Sequence, residues 1–213
     1  MKDKILICGT NRCGTTYLYY LLQNYLELND SKCLNEPFKH AISTRNISDF
    51  HDTMGTLHSA ELIKEHAQTF RVYEYETGND LFEFYENFYR IRVIRKDRIE
   101  AIISMAIAET TNKYHRTILD VSDSVTIDLD HLDSVIDKIN YGYDSISMIP
   151  ENWFDETVYY EDLSLDPNKD QQLIKYITQS KDIKINTIPN KDKRSVVKNY
   201  DEVLGKVKAR LYE

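Results

Sequence analysis

A chain of 213 residues with a net charge of −8 and a pI near 5.3 has no broad basic surface, which argues against a nucleic-acid backbone as its partner. No run approaches the length of a membrane span and no secretory leader opens the chain, while Cys8, Cys13 and Cys33 lack metal-ligand spacing and are odd in number. These features predict a cytoplasmic, membrane-free protein with reduced thiols, long enough to bury roughly 70% of its unfolded surface in one domain over 1–213.

Ile5-Leu6-Ile7-Cys8 is a short apolar run that stops at Gly9, the pattern of a strand buried on both faces. From Thr15 to about Leu28, Leu18, Leu21, Leu22 and Tyr25 recur at helical spacing. Cys33 to Lys39 is a connection carrying Glu36-Pro37, and the proline marks a helix start. Glu61 to Gln68 then reads as helical, Phe70 to Tyr75 as extended and Leu81 to Tyr89 as an amphipathic helix. Arg90 to Arg95 alternates Ile91 and Val93 with arginines and predicts a second core strand, followed by a helix over Arg98 to Glu109. A helix is expected over Asp130 to Tyr143 and a third strand over Thr157 to Tyr160. Pro167 would open a helix to about Gln179, Asp182 to Ser195 reads as a polar loop, and Asp201 to Tyr212 as a last helix. Strands alternating with helices predict an α/β, three-layer, P-loop-like fold with a central parallel sheet flanked by helices.

Three motifs carry chemistry. Gly9-Thr10-Asn11-Arg12-Cys13-Gly14-Thr15-Thr16 lies between the first strand and the first helix, where backbone N–H groups can wrap an anion. A nucleotide triphosphatase carries lysine after the second glycine; here Thr15 stands there and the cation sits inside the loop, at Arg12. Arg95-Lys96-Asp97-Arg98 follows the second strand, at the carboxyl edge where open α/β sheets bind ligands, with Ser104 in the helix behind it. Arg95 and Lys96 compete for one phosphate-binding role, and Arg95 has the bidentate geometry. Asn35-Glu36-Pro37-Phe38 offers a carboxylate, with His40 as a rival base. Each motif alone would also fit an ordinary turn, helix start or cap.

Together the motifs resemble the sulfotransferases that use 3′-phosphoadenosine-5′-phosphosulfate (PAPS), and most of all the bacterial trehalose-sulfotransferase branch. Asn11-Arg12-Cys13-Gly14-Thr15-Thr16 is similar to that family's Pro-Arg-Ser-Gly-Thr-Thr, with Asn11 and Cys13 replacing Pro and Ser. Tyr160-Glu161-Asp162-Leu163 followed by Asp166-Pro167 resembles its late strand and turn. The likeness covers Lys4 to His40, Tyr89 to Ala108 and Thr157 to about Tyr176; the intervening stretches, where acceptor selectivity would be built, match nothing nameable. The resemblance implies that Arg12, Cys13, Gly14, Thr15 and Thr16 hold the 5′-phosphosulfate. It further implies that Arg95 or Lys96, with Ser104, binds the 3′-phosphate, and that Lys193 and Arg194 in a basic loop close over the cofactor. Glu36 would be the base, adenosine 3′,5′-bisphosphate the product, a small molecule or glycan the acceptor, and no metal would be needed. The alternatives are a P-loop phosphotransferase acting on a small metabolite, which the missing lysine disfavours, and a non-catalytic nucleotide-binding module.

Overall fold

The computed structural model describes residues 4–114, 124–165 and 192–212. Five strands form one all-parallel sheet: β1 (Ile5–Gly9), β2 (Cys33–Asn35), β3 (Leu62–His66), β4 (Tyr89–Ile94) and β5 (Glu156–Tyr159), in the order β2-β3-β1-β4-β5. The helices are α1 (Thr15–Tyr25), α2 (Lys39–Thr44), α3 (Ile47–Leu57), α4 (Ala67–Thr77), α5 (Leu81–Phe84), α6 (Arg98–Thr111), α7 (Leu129–Met148), α8 (Tyr160–Leu165) and α9 (Tyr200–Tyr212). None of the described helices is long and apolar enough to cross a membrane.

Side chains alternate across the sheet. Leu6 and Cys8 of β1 and Ile63 of β3 face a core with Phe38, Phe50, Phe70, Tyr73 and Tyr85. Ile5, Ile7, Leu62, Ile91, Val93 and Val158 face α1, meeting Leu18 and Leu22. A third cluster joins α6, α7 and α9 through Ile103, Ile107, Val135, Ile139, Val203 and Val207.

The chain leaves β1 toward β2 and β3, then crosses back to lay β4 on the opposite side of β1. The reversal makes the carboxyl ends of β1 and β4 the switch point, the place where open parallel sheets leave a crevice. Both anion motifs follow these two strands.

The predicted strands over Ile5–Cys8, Arg90–Arg95 and Thr157–Tyr160 correspond to β1, β4 and β5. Two elements between them are inverted. Glu61–Gln68, expected as helix, contains β3, and Phe70–Tyr75, expected as extended, lies inside α4. In β3 the consecutive residues Leu62, Ile63, Lys64 and Glu65 are all buried, as a central strand requires, but two of them are charged and break the apolar run. In α4 the buried residues Ala67, Phe70 and Tyr73 keep helical spacing, which outweighs the strand preference of Val72, Tyr73 and Tyr75. The helix expected over Leu81–Tyr89 is the single turn α5, because Tyr89 opens β4. The helix expected to Leu28 ends at Tyr25, Cys33–Asn35 adds an edge strand, and Pro37 lies in the turn ahead of α2 rather than at its start. The expected helix from Pro167 lies outside the described residues, as does most of the loop from Asp182.

Candidate functional site

The phosphate-loop motif is wound tightly around its own thiol. Cys13 is fully buried; its Sγ accepts from the Thr10 N–H at 3.1 Å and donates to the Thr10 carbonyl at 2.8 Å. Burial pushes the Cys13 thiol above its ordinary range, so it is a neutral spacer that shapes the loop. A Cβ on Gly9 would lie 2.7 Å from Cys13 Sγ, Thr15 Cγ2 and the Val93 carbonyl, three contacts that leave glycine as the residue that fits. Gly14 has φ 93° and caps α1 without a side-chain acceptor, so the first-turn amides point out of the helix toward the loop. Thr15 is buried and packs beneath Gly9, while Thr16 is half-buried.

Arg12 takes a left-handed backbone (φ 64°), and so does Glu36 (φ 53°). Glu27, Arg45 and Asn112 share that conformation, but each follows the end of a helix, where it is ordinary. Arg12, in the loop after β1, and Glu36, directly after β2, take it at the sheet's carboxyl edge instead, away from any helix C-terminus.

The cations expected to bind a nucleotide converge. Arg12 Nε donates to Ser104 Oγ at 3.0 Å and its Nη1 to the Tyr114 carbonyl at 2.6 Å, tying the loop to the middle of α6 and to the segment just past its C-terminal end. Arg95 is buried, donates from Nη1 to the Arg12 carbonyl at 3.3 Å and lies 4.3 Å over the Tyr160 ring. Tyr160 also fills the space beside Gly14, where an added Cβ would come 2.6 Å from Tyr160 Cδ2. One ring therefore braces the loop and orients the guanidinium. The Tyr143 hydroxyl donates to the Arg95 carbonyl at 2.6 Å, and the Glu161 carboxylate accepts from the amides of Lys96 and Asp97 at 3.2 and 3.0 Å. Of the two adjacent cations, Arg95 joins the loop, whereas Lys96 is exposed with its Nζ 3.9 Å from the Tyr159 ring centre.

Lys193 reaches the same cluster. Its Nζ donates to the carboxylate of Glu100 and, at 2.9 Å, to the Glu100 carbonyl. Burial and the charges of Arg95 and Arg12 pull its pKa down to about 8 against the opposing effect of Glu100. The segment is anchored by Val125 N–H to the Val196 carbonyl at 2.8 Å and by paired bonds between Asn199 and the backbone of Ile127. Arg194 points elsewhere, exposed and 5.5 Å from the Tyr200 ring centre, so it is not brought into the cluster.

A second cluster stands beside the loop. Glu36, just past β2, pairs through Oε1 with Lys64 Nζ and, at 2.9 Å, with His66 Nε2; Lys39 Nζ lies 3.9 Å from its Oε2. Alternation along β3 puts Lys64 and His66 on the α1 face and Glu65 on the other. Burial favours the neutral acid of Glu36, but the hydrogen bond and charge of His66 and those of Lys64 outweigh it and hold the carboxyl well below the usual carboxylate range. Burial pushes the His66 imidazole down, opposed by its bond to Glu36, and Nδ1 is buried without a hydrogen-bond partner among the described residues.

Glu65 lies beneath this cluster. Its Oε1 accepts from the His66 amide at 3.0 Å and from Thr69 Oγ1 at 2.9 Å, and its Oε2 weakly from the Phe38 amide at 3.5 Å. It therefore grips both arms, the turn after Glu36 and the end of β3. Burial raises its pKa to about 7.

His40, the rival base, does not join: its side chain is 78% exposed and faces Asp49 at 3.6 Å. Lys64, His66, Glu65 and Glu100 were not singled out from sequence, and Tyr160 only as part of the Tyr160-Glu161-Asp162-Leu163 motif. The signal for the first three was a charged Lys-Glu-His run closing an apolar Leu62-Ile63 step, legible only once that stretch is read as a strand. Among the described residues no group of three or more His, Cys, Asp or Glu is arranged to hold a metal ion. Neither a protein-family model nor a curated protein matches this chain, so its function must be argued from this geometry and the motifs themselves.

Proposed function

We propose that the protein transfers a sulfuryl group from PAPS to an acceptor hydroxyl. The observation that carries this reading is the meeting, at the β1–β4 switch point, of a lysine-less phosphate loop with Arg95, Ser104 and Lys193, beside a separate Glu36–Lys64–His66 cluster. In this reading the loop amides and the α1 N-terminus take the 5′-phosphosulfate, and the Arg95 side takes the 3′-phosphate. The acceptor oxygen forms a bond to sulfur while the bond from sulfur to the bridging phosphate oxygen breaks in line. Adenosine 3′,5′-bisphosphate leaves.

The hydroxyl proton goes to the Glu36–His66 pair. A carboxylate ion-paired as Glu36 is makes a weak proton acceptor. His66 suits the task better: Glu36 fixes the proton on Nε2, which leaves the Nδ1 lone pair, buried here and to be uncovered as the acceptor binds, to receive the new proton, and Glu36 then stabilises the imidazolium. The base expected at Glu36 is thus assigned to His66, with Glu36 orienting it.

Calorimetric titration with adenosine 3′,5′-bisphosphate, ADP and ATP, with and without magnesium, tests the reading. The bisphosphate should bind more tightly than ADP, and Arg95→Ala should lose about 1.5–3 kcal/mol of that binding. Magnesium-dependent ATP binding with no bisphosphate binding would instead assign the protein to phosphoryl transfer.

A further inference from the structure

Every expected cofactor group on the Arg95 side already has an intramolecular partner, and one of those partners is an anion. Glu100, in the first turn of α6, places its carboxylate against Lys193 Nζ and 3.6 Å from Arg95 Nη2. Its carbonyl holds Lys193 as well. Its position also sets a negative charge beside the positive end of α6, whose first turn is capped by Asp97 through the Glu100 amide at 2.9 Å.

Arg95 lowers the tendency of Arg12 to hold its proton, and Arg95 and Arg12 together lower that of Lys193. Burying such cations without a counterion is costly. Glu100 supplies one, yet incompletely: Arg95 is 5% exposed, and its Nε is buried without a hydrogen-bond partner among the described residues. A carboxylate has two oxygens to share between Lys193 and a forked guanidinium; a phosphate has three or more.

From this we infer that Glu100 is an internal competitor for the anion site: its carboxylate holds the share of Arg95 and Lys193 that a phosphate of the ligand would need, and ligand binding must displace it. The inference rests on the reading of this cluster as the nucleotide's phosphate site. It predicts a gain of binding from the loss of a polar contact, whereas a positioning role for Glu100 predicts a loss.

The test compares wild type with Glu100→Gln, at low salt and pH 6.5, below the pKa of about 8 that Lys193 has beside Glu100. Two probes are titrated, adenosine 3′,5′-bisphosphate and inorganic sulfate. The glutamine protein should bind both about tenfold more tightly, equivalent to about 1.4 kcal/mol. High salt should narrow the gap for sulfate. Unchanged or weaker binding of both probes in Glu100→Gln overturns the inference. A wild type that binds the bisphosphate no better than ADP overturns the proposed function instead, and tighter sulfate binding by Glu100→Gln would still uphold the competitor. If Glu100→Gln fails to fold, Glu100→Asp, with a shorter reach, should bind both probes more tightly than wild type by a smaller factor; equal or weaker binding overturns the inference there too.

Discussion

The two halves of the sheet's carboxyl edge use opposite charge arrangements. On the β1–β4 side, several cations share one carboxylate: Arg95 and Lys193 both lean on Glu100, and Arg12 stands next to them. On the β2–β3 side, one carboxylate is shared by several cations: Glu36 is held by Lys64 and His66, with Lys39 at the margin. The first arrangement leaves cationic charge in excess of its carboxylate partner. The second fixes a carboxylate so firmly in its ionised form that its use lies in holding and orienting its neighbours. The difference teaches that residue type alone does not assign a role at this edge; the partners already engaged decide which groups remain free for chemistry.

The two sides differ most at the proton acceptor. If His66 takes the proton and Glu36 orients it, His66→Asn should lower kcat by about 10²–10⁴-fold. Glu36→Gln should lower it too, but the residual activity should still titrate with His66 on its acid limb. Pre-steady-state sulfuryl transfer measured against pH separates the two. Loss of the acid limb in Glu36→Gln while His66→Asn keeps it would return the base to Glu36 and erase the distinction between the two sides.

The buried Glu65 offers a smaller but independent handle. Its pKa of about 7 is raised above its unfolded value of roughly 4.3, so the folded protein holds that proton more tightly than the unfolded chain does. Its contribution to stability is therefore fully present below about pH 4 and is lost as the pH rises through about 7. Glu65→Gln should remove this loss. Relative to wild type, the variant should gain about 2–3 kcal/mol between pH 4.5 and 8, read from urea midpoints at each pH. A constant difference across that window would mean that Glu65 is ionised throughout. Because it grips the His66 and Phe38 amides, the substitution should also disturb kcat more than bisphosphate affinity, which sharpens the independence of the two sides.

The two sides were unequally legible in the sequence, for a physical reason. The anion side announces itself locally: glycines at a strand-to-helix turn and a basic cluster after an apolar strand are each a few residues long and read without knowing their neighbours. Arg12 and Arg95 were therefore visible before any packing was known, Ser104 and Lys193 came in through the family resemblance, and the structure brings the four together. The second side depends on a pairing between β2 and β3, elements separated by α2 and α3. Glu36 was visible, but the residues that determine its state sit on a strand whose two buried charges hid it. Lys64 and Glu65 break the apolar pattern while holding Glu36 and the His66 amide, so periodicity failed where the buried charged cluster stands. His40 was a local guess of the opposite kind: it stands one turn beyond Glu36 in sequence yet faces solvent and Asp49.

The smallest expected effect concerns the one ambiguity that lies within the anion side. Arg95 and Lys96 are adjacent in sequence and equal in charge, and both follow the end of β4. Arg95 turns in, sandwiched between the loop carbonyl of Arg12 and the Tyr160 ring, whereas Lys96 turns out over Tyr159. A long-range field alone would make the two interchangeable; a role set by hydrogen bonding would not. Lys96→Ala should therefore change bisphosphate affinity by about 0.5 kcal/mol or less, as exposed charges do, and that change should vanish in high salt. Titration of Lys96→Ala beside Arg95→Ala checks this. A loss in Lys96→Ala as large as that in Arg95→Ala, persisting in high salt, would mean that the 3′-phosphate is gripped from the outer face of the β4–α6 turn, and the buried cluster around Arg95 would then be a brace for the loop rather than its ligand site.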